Sequence, residues 1–170
     1  HGDVKPSNIL ISWSGDALLM DFGAAQRIGD APENVSGTIP YLAPEILRLL
    51  AGTQLDCEEF GEARTESRLS TLADVFAWGA TFYEAAVLKA AFPLDPNVND
   101  ILSLVRSQFS LRFAGDLDSR KPVQHSCGRL IDIARRTMSI NPAERPQSAV
   151  ELMGCLDHLR EVKATRAYSG

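Results

Sequence analysis

No apolar run in this 170-residue chain approaches the length a membrane-spanning helix needs, about 20 consecutive residues. Cysteine is scarce: Cys57, Cys127 and Cys155 are three in number and widely spaced. That fits neither a disulfide framework nor a zinc site and suits a reducing, intracellular and cytoplasmic setting. Basic residues do not dominate, with 17 Lys and Arg against 22 Asp and Glu and a net charge of −5, so no nucleic acid is expected as a partner. A charged segment followed by an apolar run is also missing at the start, which opens on His1 rather than Met, and no signal peptide is expected. With 45% hydrophobic and 23% charged residues, the chain is not collagen-like, low-complexity or disordered. Its length suits one domain of about 100–200 residues.

The pattern along the chain is that of a mainly α body with one small β-hairpin near the N-terminus. Asn8–Ser12 is a short β-prone run, Ser14-Gly15-Asp16 supplies turn chemistry and Ala17–Met20 follows as a second strand. Residues 22–42 lack a helical period and are rich in Gly, Pro, Asn and Asp, so they are expected to form a long loop, a kind that is usually functional. Helices are expected over Ala43–Leu50, with Pro44 in the first turn, and over residues 72–89, Asn99–Gln108, Ser126–Met138 and Gln147–Val162. The helix over 72–89 is apolar on most sides, as a helix at the centre of a bundle is, and Trp78 is expected in the core. Residues 51–70 are acidic and polar and read as an insert; 163–170 read as a tail.

Two short stretches carry chemistry. His1-Gly2-Asp3-Val4-Lys5-Pro6-Ser7-Asn8 gathers an imidazole, two opposite charges and an amide, and Asp21-Phe22-Gly23 follows one hairpin later. The hairpin can bring Asn8 near Asp21. An amide oxygen and a carboxylate meeting there make an all-oxygen site suited to Mg²⁺, which completes its shell with water and substrate phosphates. Asp3 beside such a centre can accept a proton from an attacking hydroxyl, and Lys5 can neutralise charge on the group being transferred. An isolated Asp-Phe-Gly is common by chance, and the plain alternative is a solvated loop before a hairpin. The two stretches together, at this spacing, point to phosphoryl transfer.

The combined text His-Gly-Asp-x-Lys-Pro-x-Asn, Asp-Phe-Gly and Ala43-Pro44-Glu45 resembles the C-terminal lobe of eukaryotic-type serine/threonine protein kinases. The resemblance continues through Gly37-Thr38 ahead of Tyr41, Asp74–Gly79 and Arg145-Pro146, and it spans nearly the whole chain. It implies a partial protein kinase domain over residues 1–162: the helical C-lobe of an α+β kinase-like fold, with the N-lobe absent. It also implies ATP and Mg²⁺ as cofactors and Ser or Thr hydroxyls of proteins as acceptors. By the same resemblance Asp3 is the catalytic base, Lys5 the phosphate-contacting lysine, and Asn8 and Asp21 the metal ligands, with Lys5, Asn8 and Asp21 holding the nucleotide. Thr38 is the threonine near the catalytic aspartate, Glu45 and Arg145 form a buried ion pair, and Asp74 anchors the catalytic loop. Small-molecule kinases of the aminoglycoside and choline type share the His-Gly-Asp opening but lack the Gly-Thr, Ala-Pro-Glu and Arg-Pro signals. Within the protein kinases, Leu18–Asp21, Gly37–Glu45 and the extra segment after Glu45 are similar to the Numb-associated kinase family.

The chain also departs from the kinase pattern. Gly2 stands where many kinases have an arginine that receives the phosphate of the activation loop, and Glu33-Asn34 replaces the usual phosphorylated threonine. Loop phosphorylation is therefore not expected to be the switch. Phe76 replaces the family's usual tryptophan. No glycine-rich phosphate loop and no strand lysine with a helix glutamate occur in these residues; in the family they lie in an upstream lobe of about 100 residues. The chain is therefore expected to be the C-terminal part of a longer protein and to transfer phosphate negligibly alone, since positioning supplies most of the catalysis. Apolar surface of the central helix is expected to lie uncovered. The alternative is a pseudokinase or truncated-kinase scaffold that binds protein partners, against which the joint presence of Asp3, Lys5, Asn8 and Asp21 speaks. His125, His158 and the acidic run over 56–59 are expected at the surface.

Overall fold

The computed structural model describes residues 1–29, 36–54, 70–114 and 128–157. Most of the insert, the expected activation-loop substitution at Glu33-Asn34, His125, His158 and the 163–170 tail lie outside them.

The hairpin pairs β1 (Ile9–Ile11) with β2 (Ala17–Leu19), antiparallel, with Ile9 opposite Leu19 and Ile11 opposite Ala17. Both strands are shorter than expected. Ser12 is drawn into the turn, where its N–H donates to Asp16 O and its carbonyl accepts from Gly15 N, each at 2.9 Å. Met20 N still donates to Asn8 O at 2.9 Å, so the pairing runs one step beyond the strands toward Asp21. Among its described residues, the loop segment after the hairpin contains short 3₁₀ turns at Phe22–Ala24 and Ile39–Tyr41.

The helices are α1 (Pro44–Gln54), α2 (Thr71–Val87), α3 (Ile101–Ala114), α4 (Gly128–Thr137) and α5, helical from 149 through 157. α1 runs past the expected end at Leu50 because Ala51, fully buried beside Leu47, Leu50 and Val105, belongs to the same apolar stripe. α2 is capped by Ser70, whose Oγ accepts from Leu72 N at 3.2 Å. It ends where Leu88 turns left-handed (φ 58°) and donates to Glu84 O at 2.7 Å. α3 starts after Asp100, whose side chain caps Ser103 N at 2.8 Å. It extends well past the expected Gln108 because Arg112, polar by composition, is buried.

α2 is the central element. Phe76, Ala80 and Tyr83 are fully buried, and Phe76 stacks on Phe92 with ring centroids 5.8 Å apart. α4 crosses α2 at Gly79, where a Cβ would meet Met138 Cγ at 2.8 Å and Ala134 O at 3.0 Å, so only glycine permits that approach. Ile131, Ala134 and Met138 supply the facing stripe.

One expectation fails. Trp78 is half-buried rather than core; its ring leans on Phe82 at 5.5 Å, beside the packed face rather than on it. Among the described residues of α5 only Leu152 is buried, while Val150 and Met153 are exposed. On α2, Leu72, Trp78 and Phe82 are half-buried, so part of its apolar surface is uncovered, and the exposed large apolar side chains lie elsewhere. They concentrate on the hairpin and the turn after it, at Leu10, Ile11, Trp13, Leu18, Met20 and Phe22.

Candidate active site

The segment from His1 to Asn8 is pinned from below. Val4 is buried (1% exposed), and in extended chain its neighbours on either side point the other way, which sets Asp3 and Lys5 together on the open face. Pro6 opens a 3₁₀ turn closed by Asn8 N donating to Lys5 O at 3.0 Å, and this folds Asn8 back toward Asp3. Asp74, in the first turn of α2, accepts from Gly2 N at 2.9 Å and from the main-chain nitrogen of His1 at 2.7 Å. The His1 ring accepts from Asp3 N on Nδ1 (3.3 Å), which leaves Nε2 to donate to Met20 O (3.0 Å). The imidazole thus ties the loop to the end of the hairpin, with its ring edge against Phe22 at 4.7 Å.

Three of the expected residues converge on the carboxylate of a fourth, Asp3. Lys5 Nζ lies 2.7 Å from Asp3 Oδ2 and donates to Thr38 Oγ1 at 2.6 Å. Thr38 in turn donates to Asp3 Oδ1 at 2.7 Å. Asn8 Nδ2 donates to Asp3 O at 2.8 Å and to Asp3 Oδ2 at 3.1 Å. Burial by itself pushes the Asp3 carboxyl up. The hydrogen bonds from Lys5 and Thr38, the Lys5 charge and the Asn8 bond outweigh it and hold Asp3 below the ordinary carboxylate range.

Asp21 stands apart from this cluster. It is exposed, left-handed (φ 61°, ψ 76°), and accepts from Gly23 N at 3.2 Å on Oδ1. Asp tolerates that conformation because its short carboxylate can bond locally. No described residue engages Asp21 Oδ2 or Asn8 Oδ1, although the Met20–Asn8 backbone bond brings the two segments side by side. Those atoms are hard oxygen donors of the kind Mg²⁺ takes, and two of them leave most of an octahedral shell to water and phosphate oxygens. Among the described residues no group of three His, Cys, Asp or Glu side chains could hold a metal by itself.

A cavity of ≈ 210 Å³ opens beside Asp3 and Thr38, with Tyr41, Ile46 and Ala77 among its walls. Tyr41 donates to Glu84 Oε2 at 2.5 Å; burial, then the bond and charge of Glu84, raise its phenol well above the usual value. Outside the site, Arg145 forms a two-pronged pair with Glu45, Nη1 to Oε1 at 2.7 Å and Nη2 to Oε2 at 2.8 Å, with its own side chain fully buried.

The family model for the protein kinase domain matches residues 1–158. The chain belongs to the protein kinase family. Among curated proteins, this kinase chain is 30% identical over 156 residues to mitogen-activated protein kinase kinase kinase 1 of Homo sapiens, a match covering 87% of the chain and 9% of that protein. It is 29% identical over 160 residues to the serine/threonine-protein kinase PknB of Mycobacterium leprae, covering 89% and 21%. With the LRR receptor-like serine/threonine-protein kinase FEI 2 of Arabidopsis thaliana it shares 28% over 157 residues, covering 86% and 23%. The kinase chain therefore spans less than a quarter of the length of these relatives. Its fold is similar to that of the Cydia pomonella granulovirus kinase PK-1, with a TM-score of 0.63 at 19% identity over 90% of this chain and 48% of that one. Among the described residues no helix is long and apolar enough to cross a membrane.

Sequence reasoning missed three contributors: the His1 ring as a tie, the Tyr41–Glu84 bond and Arg112. The last is buried at the end of α3 and lies over the Phe92 ring at 4.3 Å. Only the unusual position of an arginine in an apolar helix could have marked it.

Proposed function

We propose that this kinase chain takes part in transfer of the γ-phosphoryl group of Mg-ATP to Ser or Thr hydroxyls of proteins. The observation that carries the reading is the closed set Asp3–Lys5–Thr38–Asn8, in which one carboxylate is held by three donors from two segments far apart in sequence. An acceptor hydroxyl delivered through the adjoining cavity would meet Asp3. Because Lys5 and Thr38 hold Asp3 low, it is a weak base, and its part is first to orient the hydroxyl and to take the proton as the new P–O bond forms and the bond to the β–γ bridging oxygen breaks, with ADP leaving. Lys5 neutralises charge on the group in transit. Asn8 Oδ1 and Asp21 would hold Mg²⁺, which when bound offsets the charge of the phosphates.

The apolar side chains left exposed on the hairpin support a further lobe over the nucleotide, carrying the phosphate loop these residues lack. The Thr38 contact supports Ser and Thr over Tyr as acceptors. Within the family, the text at Leu18–Asp21 and Gly37–Glu45 supports kinship with the Numb-associated kinases.

The test is phosphate transfer from γ-labelled Mg-ATP to a degenerate Ser/Thr peptide library by the full-length protein. Asp3→Asn is expected to abolish labelling while nucleotide affinity stays near wild type. Wild-type labelling no higher than that of Asp3→Asn would sink the proposal.

A further inference from the structure

Arg112, in the last turn of α3, is 4% exposed, and no carboxylate pairs with it among the described residues. All its donors go to neutral oxygens. Nε donates to Leu42 O at 3.0 Å; Nη2 donates to Leu42 O at 2.8 Å, Ile39 O at 2.9 Å and Pro40 O at 3.3 Å. Nη1 donates to Gln108 O at 2.7 Å and Gln108 Oε1 at 3.0 Å. Removing a cation from water costs several kcal/mol, and an apolar side chain of similar volume often fills such a space at less cost. The guanidinium therefore calls for a geometric reason.

That reason lies in the turn it grips. Ile39–Tyr41 is a single 3₁₀ turn, and Thr38 is its N-cap residue. The turn satisfies only part of its own backbone. Thr38 O and Ile39 O accept from Tyr41 N and Leu42 N, but Pro40 O and Leu42 O have no main-chain donor among the described residues. α1 then opens on Pro44, which has no N–H to give. Buried carbonyls need partners, and one planar fork with five donors reaches three of them at once. Gln108, itself fully buried and donating to Pro93 O at 2.8 Å, holds the fork in line.

We propose that Arg112 is a positioning residue for phosphoryl transfer: by clamping the carbonyls of residues 39, 40 and 42 it sets the turn that presents Thr38 Oγ1 to Asp3 and Lys5. The inference rests on the kinase reading of the site. Lysine, with a point charge and no planar fork, cannot reproduce the clamp.

The experiment compares wild type, Arg112→Lys, Arg112→Met and Arg112→Ala in the full-length protein by melting, by kcat and KM for ATP and acceptor peptide, and by amide hydrogen exchange over residues 36–43. In folded variants kcat is expected to fall by about 100-fold, the scale of a misplacement near 1 Å, while KM for ATP stays close to wild type. Exchange over 36–43 is expected to rise, and methylguanidinium is expected to restore part of kcat in Arg112→Ala. If Arg112→Met fails to fold, Arg112→Lys decides. A folded Arg112→Lys with wild-type kcat and unchanged exchange overturns the proposal. Were the wild type itself to transfer no phosphate, the kinase reading would fall separately, and unchanged exchange over 36–43 in Arg112→Lys would still overturn the clamp.

Discussion

Thr38 donates its hydroxyl to Asp3 Oδ1 at 2.7 Å across 35 positions of sequence. The same hydroxyl accepts from Lys5 Nζ, so the turn before α1 and the segment on both sides of Val4 share one three-way contact. The Asp3 carboxylate is thereby positioned by two segments, one braced by α2 through Asp74 and the other by α2 through the Tyr41–Glu84 bond and by α3 through Arg112.

The first expectation concerns that hydroxyl. Thr38→Val keeps the shape and removes the bond, and a hydrogen bond to a charged group is worth about 1.5–3 kcal/mol. Steady-state assays should therefore show kcat lower by about 10- to 100-fold, with Thr38→Ser close to wild type. An active Thr38→Val would place Asp3 by other means.

Asp3 and Asp21 should separate kinetically. Asp3→Asn removes the acceptor-orienting charge and should abolish transfer while calorimetry still detects Mg-ATP. Asp21→Asn removes the exposed carboxylate and should weaken Mg-ATP binding itself. Identical phenotypes would merge the two roles.

The acid limb follows from the direction of the Asp3 shift. Its folded pKa lies below the ordinary carboxylate value, so the charged form stabilises the fold above the unfolded pKa, and that contribution is lost as pH falls through the folded value. Melting temperatures of wild type and Asp3→Asn should thus differ at neutral pH and converge as pH drops below about 4. A constant gap across that range would remove the Lys5–Thr38 hold on the carboxylate.

Glu45 and Arg145 should matter for folding rather than chemistry. Arg145 is fully buried and also donates to Ser139 O and Leu72 O, so Glu45→Gln leaves a buried cation without its counter-charge. Losing one partner of a buried pair costs about 3–5 kcal/mol; the partial exposure of Glu45 puts this pair at the low end. Denaturant titration should show the loss, with kcat of the remaining folded protein little changed.

Gly2 is at φ +83°, and a Cβ there would sit 2.6 Å from Ala24 O. Gly2→Arg should therefore lower the melting temperature, by more than the roughly 1 kcal/mol of a tolerated glycine exchange, and should not create a phosphate-responsive switch. Phosphatase treatment of the wild type should leave its basal rate intact.

The local text carried most of the site. The spacing of Asp3, Lys5 and Asn8 along one extended strand and 3₁₀ turn is set by chemistry within eight residues, and the hairpin that leads to Asp21 follows from β-prone runs around Ser14-Gly15-Asp16. The helices were legible from apolar period, since α2 and α4 must bury their stripes whatever surrounds them. The ends of α1 and α3 were not, because Ala51 and Arg112 are buried by partners distant in sequence. Neither the half-exposure of Trp78 nor the sparse packing of α5 could be read from a period that counts apolar residues without knowing which faces meet another element. The family text did name Thr38, Glu45, Arg145 and Asp74; the distances that join them are properties of the packed molecule. By itself, then, the sequence determined the chemistry available and the elements that bear it, since both depend on neighbours along the chain. Which groups bond across 35, 72 or 100 positions was decided only by tertiary structure, because buried donors and acceptors must be satisfied by whatever the closing of the core brings within reach.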